Sequence, residues 1–284
     1  METVLRGPTE EVRIGPGLPT VIIGERINPT GRKVFSAELQ AGDLSRVPRD
    51  AQAQAEAGAR VLDVNVGAAS VDEVALLPRA VELAQQAVDL PICIDSANPE
   101  ALRAALAVAQ GRALVNSVNG ERAKLDAVLP VVADYGAAVI ALVMDDSGIP
   151  ETPEKRLRVA EAILEAARQH GIAPQDVLLD PLVLAIGADH LAGAVTAETA
   201  RLIRCELGCN MTAGASNASH GMPERELLNT VWLALLIQAG VNAPICNPLK
   251  NGLAVRAVDL VLGYDEWGMG YIQAYRAAQK AAAS

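Results

Sequence analysis

The chain has 284 residues, 51% of them hydrophobic and only 2% aromatic, with 24 basic against 34 acidic side chains and a formal net charge of −10. An acidic, aromatic-poor chain is opposed to nucleic-acid binding, and no apolar run reaches the ~18 to 20 residues of a membrane span. The stretch up to Leu18 carries Glu2, Arg6, Glu10, Glu11 and Arg13; it lacks the apolar centre of a secretory signal, so a cytoplasmic location is expected.

The length suits one α/β barrel of roughly 250 residues with terminal extensions, so residues 1–284 are read as a single domain. Residues 1–19 hold Gly7-Pro8 and Gly15-Pro16-Gly17-Leu18-Pro19, an irregular lead-in with room for a small hairpin over the barrel bottom. The first barrel strand is placed near Thr20, and Arg49 to Gly58 forms a helix ended by a C-cap glycine. A second strand starts at Arg60 and a helix runs from Asp72 to Val88, with Pro78 a local irregularity. Pro91 to Ile94 makes a third strand, and Asn98-Pro99 opens the next helix, asparagine as N-cap and proline at its first position.

Ala113 to Asn116 reads as the fourth strand, Glu121 to Tyr135 as its helix, and Ala138 to Met144 as a fifth strand apolar along its length, as a strand covered on both faces should be. After the loop Asp145 to Pro150 comes a helix from Thr152 to Arg168, then strand six, Val177 to Leu179. Ala197 to Leu207 makes a further helix, Asn210 to Ala215 a weaker seventh strand, Pro223 to Ala239 a strongly apolar helix, and Ala243 to Cys246 the eighth strand. Eight strands alternating with helices predict a (β/α)8 TIM barrel.

Most of these strands stop on a carboxylate or amide: Glu25 and Asn28 after the first, Asp63 and Asn65 in the second, then Asp95, Asn116 and Asp180. In a closed parallel barrel all carboxyl ends share one rim, so the side chains converge on one pocket rich in acceptors and poor in cations. A carboxylate there can accept together from a ring N–H and an exocyclic amine. The segment Met211 to Gly221 is small and flexible; Gly214 lets a ligand approach backbone closely, and Asn217 can donate or accept without bringing charge.

Other chemistries find no anchor. Cys93, Cys205, Cys209 and Cys246 are scattered and His170, His190 and His220 lie far apart, so reduced thiols rather than a metal site are expected, with Cys93 and Cys246 packed in strands. There is no GxGxxG, P-loop or GxSxG. Asp189-His190 lacks the spacing of a corrinoid-ligating Asp-x-His-x-x-Gly motif. Lys250, beyond the last strand, comes too late for an aldolase-type Schiff base.

Gly24-Glu25-Arg26-Ile27-Asn28, Leu62 to Gly67, Ile94-Asp95-Ser96, Val115-Asn116-Ser117, Leu179-Asp180-Pro181-Leu182 and Ser216-Asn217-Ala218-Ser219 resemble the pterin-binding methyltransferases that work with corrinoid proteins. The resemblance runs from about Val21 to Gly252. It is nearest to methyltetrahydrofolate:corrinoid/iron-sulfur protein methyltransferases and their O-demethylase relatives, with the folate module of cobalamin-dependent methionine synthase also similar. It implies a barrel of the dihydropteroate synthase-like type that moves a methyl group between N5 of tetrahydrofolate and the cobalt of a corrinoid (cobalamin) on a partner protein.

By that resemblance Asp95, Asn116 and Asp180 bind the pterin and Asn217 reaches N5, with Asp180 as a route for the proton. Glu25, Asp63 and Asn65 shape the floor, while Asn28 and Arg225 contact the ligand or support its loops. It further implies a homodimer, the helix Pro223 to Ala239 offering Trp232, Leu233, Leu235, Leu236 and Ile237 for contact. Dihydropteroate synthases compete as a reading, but they use a lysine near strand seven, where this chain has Ala213-Gly214-Ala215-Ser216-Asn217. A non-catalytic pterin-binding protein is the remaining alternative.

Overall fold

The computed structural model describes the backbone of residues 1–283 and the side chains of residues 1–279. The lead-in holds the small hairpin expected over the barrel bottom, more regular than the segment's glycines and prolines suggested: β1 (Thr3–Arg6) and β2 (Glu11–Ile14) pair antiparallel. The alternation in Glu11-Val12-Arg13-Ile14 fits this, with Val12 and Ile14 buried and Glu11 and Arg13 exposed.

The barrel is built from β3 (Ile23–Ile27), β4 (Val61–Val64), β5 (Ile92–Asp95), β6 (Leu114–Asn119), β7 (Ala138–Leu142), β8 (Val177–Asp180), β9 (Thr212–Gly214) and β10 (Ala243–Cys246). Neighbours run parallel in the order β8-β7-β6-β5-β4-β3-β10-β9. A parallel bridge between Leu179 and Met211, with Leu179 N donating to Asn210 O at 3.0 Å, closes the ring.

The helices are α1 (Lys33–Gln40), α2 (Arg46–Glu56), α3 (Glu73–Ala87), α4 (Pro99–Val108), α5 (Arg122–Asp134), α6 (Pro153–Gln169), α7 (Ala192–Leu202), α8 (Arg225–Ala239), α9 (Pro248–Leu262) and α10 (Met269–Ala283). The expected caps are present: the Asn98 side chain accepts from Glu100 N at 2.9 Å and that of Thr152 from Lys155 N at 3.4 Å. Gly58, at φ +97, follows α2 in the backbone region that glycine enters without strain.

Some boundaries differ from expectation. The first barrel strand starts at Ile23, three residues after Thr20, whose N–H is taken by the Asp259 carboxylate instead of a neighbouring strand. Helix α7 begins at Ala192 instead of Ala197 and ends at Leu202, where residues 203–207 widen into a π turn that closes on Gly208. Strand β6 does not stop at Asn116 but continues to Asn119, past a register shift against β7. No helix among the described residues is long and apolar enough to cross a membrane.

Two apolar layers hold the barrel. Outward-facing Leu62, Ile94, Val115, Val139 and Leu179 pack under the helices, while Ile23, Val61, Cys93, Leu114, Ile140, Leu178 and Ala243 fill the interior with Leu5, Val12 and Ile14 of the hairpin. The hairpin therefore plugs the bottom of the barrel. Asn210 ties it in place, donating to Thr3 Oγ1 at 2.8 Å and Ile14 O at 2.9 Å.

The C-terminal segment, given no role from sequence, supplies a second lock. Asp259 on α9 is fully buried and accepts from Thr20 N, at 3.1 Å to both oxygens, from Thr20 Oγ1 at 2.5 Å and from Arg256 at 2.8 Å. A buried carboxylate is tolerable only with such saturation. On α8, the side chains expected to meet a second copy are mostly core: Trp232, Leu233, Leu236 and Ile237 are buried, and only Leu235 is exposed. Their one-sided burial follows the helical period, which leaves Val231 and Leu235 on the outer face.

Candidate functional site

Strand alternation decides which side chains enter the barrel. Since Ile23, Val61, Cys93, Leu114 and Leu178 belong to the interior cluster, the residues two further along point the same way: Glu25, Asp63, Asp95, Asn116 and Asp180. Cross-strand register places Asp95 opposite Asn116, Leu142 opposite Asp180 and Gly214 opposite Ile245. The interior thus changes within one pleat from an apolar layer to a ring of acceptors at the carboxyl ends.

These groups form two connected sets. In the first, Asn116 Nδ2 donates to Asp63 Oδ1 at 3.0 Å, and the Cys93 thiol also donates to Asp63. Asp95 is held by the Asn65 amide, whose Oδ1 accepts from Gly67 N at 2.7 Å. Behind them Glu73 Oε2 accepts from Ser96 Oγ at 2.6 Å.

In the second set, Glu25 reaches across β10 to the loop after β9, accepting from Ser216 Oγ at 2.9 and 3.3 Å. Arg225 holds the other side of that loop, donating to Ser216 O at 3.0 Å and Ser219 Oγ at 3.1 Å. Asn217, between these anchors, is exposed, and its amide lies over Gly214: a Cβ on Gly214 would sit 3.0 Å from Asn217 Nδ2. Asp180 stands on the opposite side of β9, its Oδ1 accepting from Leu182 N at 2.8 Å. Asn28 is different: its Oδ1 accepts from Thr30 N at 2.9 Å, a local turn that leaves only its amide nitrogen to face elsewhere.

Burial sets the electrostatics. It raises Asp180 to about 6 against the opposing Leu182 N–H and Arg156 charge. It likewise raises Asp95 to about 6, and Glu25 above its usual range despite Ser216. Asp63 is pushed well up, first by burial and then by the charge of Asp95, so of this pair it keeps its proton more firmly. Burial also holds the Cys93 thiol protonated, consistent with its donor role. The mouth is thus an acceptor surface whose charge grows through the neutral range, suited to a neutral ring bearing N–H and amine donors and hostile to a phosphate. Among the described residues no three His, Cys, Asp or Glu side chains are arranged to hold a metal ion.

Sequence reasoning missed Glu73, Ser96 and Ser216 as members of these networks and treated Cys93 as packing alone. The signal for Cys93 was its place two residues before Asp95 on one strand; the Ser96–Glu73 bond spans 23 residues and has no local signature.

Comparison with known proteins places this geometry. Residues 24–247 match the pterin binding enzyme family. The chain is 34% identical over 261 residues to a methylcorrinoid:tetrahydrofolate methyltransferase of Eubacterium limosum, covering 90% of this chain and 96% of that protein. It is 30% identical over 243 residues to the methionine synthase of Mycobacterium tuberculosis, but that match spans only 20% of the larger protein. Among solved structures, Yersinia pestis dihydropteroate synthase with a sulfonamide drug aligns at a TM-score of 0.73 and 16% identity, over 93% of this chain and 100% of that one, which shows a shared fold. With its acceptor-ringed barrel mouth and a match spanning all eight barrel strands from Gly24 onward, the chain belongs to the pterin binding enzyme family.

Proposed function

We propose that this protein is a methyltransferase that moves a methyl group between N5 of tetrahydrofolate and the cobalt of a corrinoid carried by a separate protein, residues 1–284 acting as one pterin-binding unit in the cytoplasm. The observation that carries the reading is the full-length likeness to the Eubacterium limosum methyltransferase, on a barrel whose mouth presents carboxylates and amides with no lysine on β9 or the loop after it. An anion-leaving reaction of the dihydropteroate synthase kind is poorly served there.

In this reading Asp95, Asn116 and Asp180 take the pterin's N–H and amine donors, while Glu25, Asp63 and Asn65 form the floor. Gly214 gives the ring close access to backbone, Asn217 faces N5, Arg225 holds the Asn217 loop, and Asn28 shapes the neighbouring rim. When N5 is methylated, its lone pair takes the methyl carbon, the cobalt keeps the bonding electron pair and the N5 proton leaves. In the opposite direction N5 is a poor leaving group and must gain a proton. The Asn217 amide then strengthens its bond as charge develops, and the proton travels through water or Asp180.

The rim supports delivery of the corrinoid from outside. Val34, Val74, Ile149, Leu191, Leu227 and Leu249 are exposed by 37 to 65%, and they fall on or beside six of the eight connections that follow barrel strands. Exposed apolar side chains around a mouth favour a docking partner. Exposed Val231 and Leu235 on α8 support contact with a second copy.

Anaerobic stopped-flow absorbance tests the function: Co(I) cobalamin and methyltetrahydrofolate should give a methylcorrinoid only when the protein is present. Tight folate binding without turnover would make the protein a pterin binder or require a protein-borne corrinoid. Absence of folate binding would overturn the reading.

A further inference from the structure

Arg156 is the one basic residue buried among the described residues, 2% exposed on the first turn of α6. Its Nε donates to Pro150 O at 2.9 Å, and its Nη1 to Pro181 O at 2.7 Å and Leu182 O at 3.0 Å, with Thr196 Oγ1 at 3.5 Å. Thr196, also buried, donates to Leu182 O at 2.7 Å. The guanidinium therefore joins the loop after β7 to the loop after β8.

The turn it grips is unusual. Leu182 has φ +65, a left-handed conformation that disfavours a residue with a Cβ. That geometry aims Leu182 N at Asp180 Oδ1, at 2.8 Å. The turn is closed from within by the Asp180 side chain and from behind by Arg156, and Asp180 Oδ2 accepts no hydrogen bond from the described residues. Arg156 is also the only charged group found to act on Asp180, lowering its affinity for a proton against burial. The cross-strand neighbour on β7, Leu142, and the inward Gly214 on β9 are uncharged.

We propose that Arg156 is a positioning residue for pterin recognition: it fixes the Asp180-Pro181-Leu182 turn so that one carboxylate oxygen stays free toward the mouth, and it supplies the positive charge behind that carboxylate. A buried guanidinium bonded mainly to neutral carbonyls is costly to keep for packing alone. Its planar fork donates from two separate nitrogens to carbonyls of two loops, Nε to Pro150 O and Nη1 to Pro181 O, a spread that the single nitrogen of an ammonium does not offer. The proposal rests on Asp180 contacting the pterin, as argued above.

The test is the affinity for 5-methyltetrahydrofolate, measured by calorimetry between pH 5 and 8.5, in wild type, Arg156→Gln, Arg156→Lys and Asp180→Asn. Wild-type affinity should fall on the acid side as Asp180 and Asp95, both raised to about 6, take up protons, and Asp180→Asn should leave only the part of that fall due to Asp95. In Arg156→Gln the Asp180 part of that fall, the part absent from Asp180→Asn, should move by about one pH unit toward alkaline, because the compensating charge is gone. Arg156→Lys should keep the fall near its wild-type position yet bind several-fold more weakly at pH 8. A uniform loss of affinity in Arg156→Gln with an unmoved acid limb would reduce Arg156 to structural glue and overturn the proposal. Should Arg156→Gln not fold, wild-type affinity of Arg156→Lys at pH 8 would overturn it alone. Wild-type affinity of Asp180→Asn would instead show that the underlying pocket assignment fails.

Discussion

Asp180→Asn separates what the pocket gains from what the fold loses. The carboxyl is almost fully buried and its proton affinity is raised from the ordinary 3.8 to about 6, with the Arg156 attraction already included. In the folded protein the group keeps its proton up to about 6, whereas in the unfolded chain it loses it near 3.8. Between those values the folded state binds more protons, so this group's contribution to stability is greatest at acid pH and is lost as pH rises. At ~1.4 kcal/mol per pH unit the penalty is about 1 kcal/mol at pH 4.5 and about 3 kcal/mol by pH 8.

Asparagine retains an oxygen for Leu182 N and does not titrate. The variant should therefore gain about 2 kcal/mol on wild type between pH 4.5 and pH 8. That amounts to about 3 °C in Tm for a chain of this length at ~2.1 cal/mol/K per residue. Calorimetric Tm values of both proteins across that range measure the difference. Folate affinity should fall about 10- to 100-fold at pH 8, since a charged acceptor becomes a neutral one. Tm differences that stay constant across the range would refute the claim that burial dominates at Asp180.

Asn217→Ala should slow single-turnover methyl transfer about 100-fold while leaving Tm unchanged, because the side chain is exposed and makes no hydrogen bond among the described residues; unchanged transfer would remove Asn217 from the reaction. Gly214→Ala should push the Asn217 amide aside, since the new Cβ would lie 3.0 Å from it, and so lower the transfer rate several-fold with little effect on stability. Asp95→Asn should weaken folate binding about 10-fold or more by titration calorimetry, and equal affinity would contradict the pocket assignment. Asp259→Ala strips a buried acceptor from Thr20 and Arg256. It should cost about 3 kcal/mol in denaturant unfolding while the folate affinity of the folded protein stays as it was.

The barrel was legible because its signals are local. Short apolar strands, Asn98 and Thr152 as caps and Gly58 after α2 each act within a few residues, and the resemblance in the strand-end motifs pointed to the same rim. What stayed hidden depends on contacts between distant segments. Thr20 meets Asp259 across 239 residues and Glu25 meets Ser216 across 191, separations at which no periodicity speaks. Arg156 reads in sequence as one more charged residue on an amphipathic helix, and only the loops after β7 and β8 turn it into a buried anchor. The hairpin lay between these cases: the glycines and prolines on both sides left room for one over the barrel bottom, but the alternation from Glu11 to Ile14 that fixes its second strand was not used.

The proposed reacting amide sits at the weakest seam of the barrel. Strands β8 and β9 are joined by a single bridge, so the ladder alone cannot fix how the loops above them stand. Loop contacts take over that task. Ile186 N donates to Ala218 O at 3.0 Å, linking the loop after β8 to the Asn217 segment, while Glu25 and Arg225 hold Ser216 from the other two sides. Asn217 is thereby oriented by groups from β3, from the loop after β8 and from α8, with Asp180 one strand away. A short ladder leaves the loops at this point less constrained by the sheet, beside the amide proposed to face N5. The surrounding hydrogen bonds restore the rigidity that a differential contact with the transition state requires.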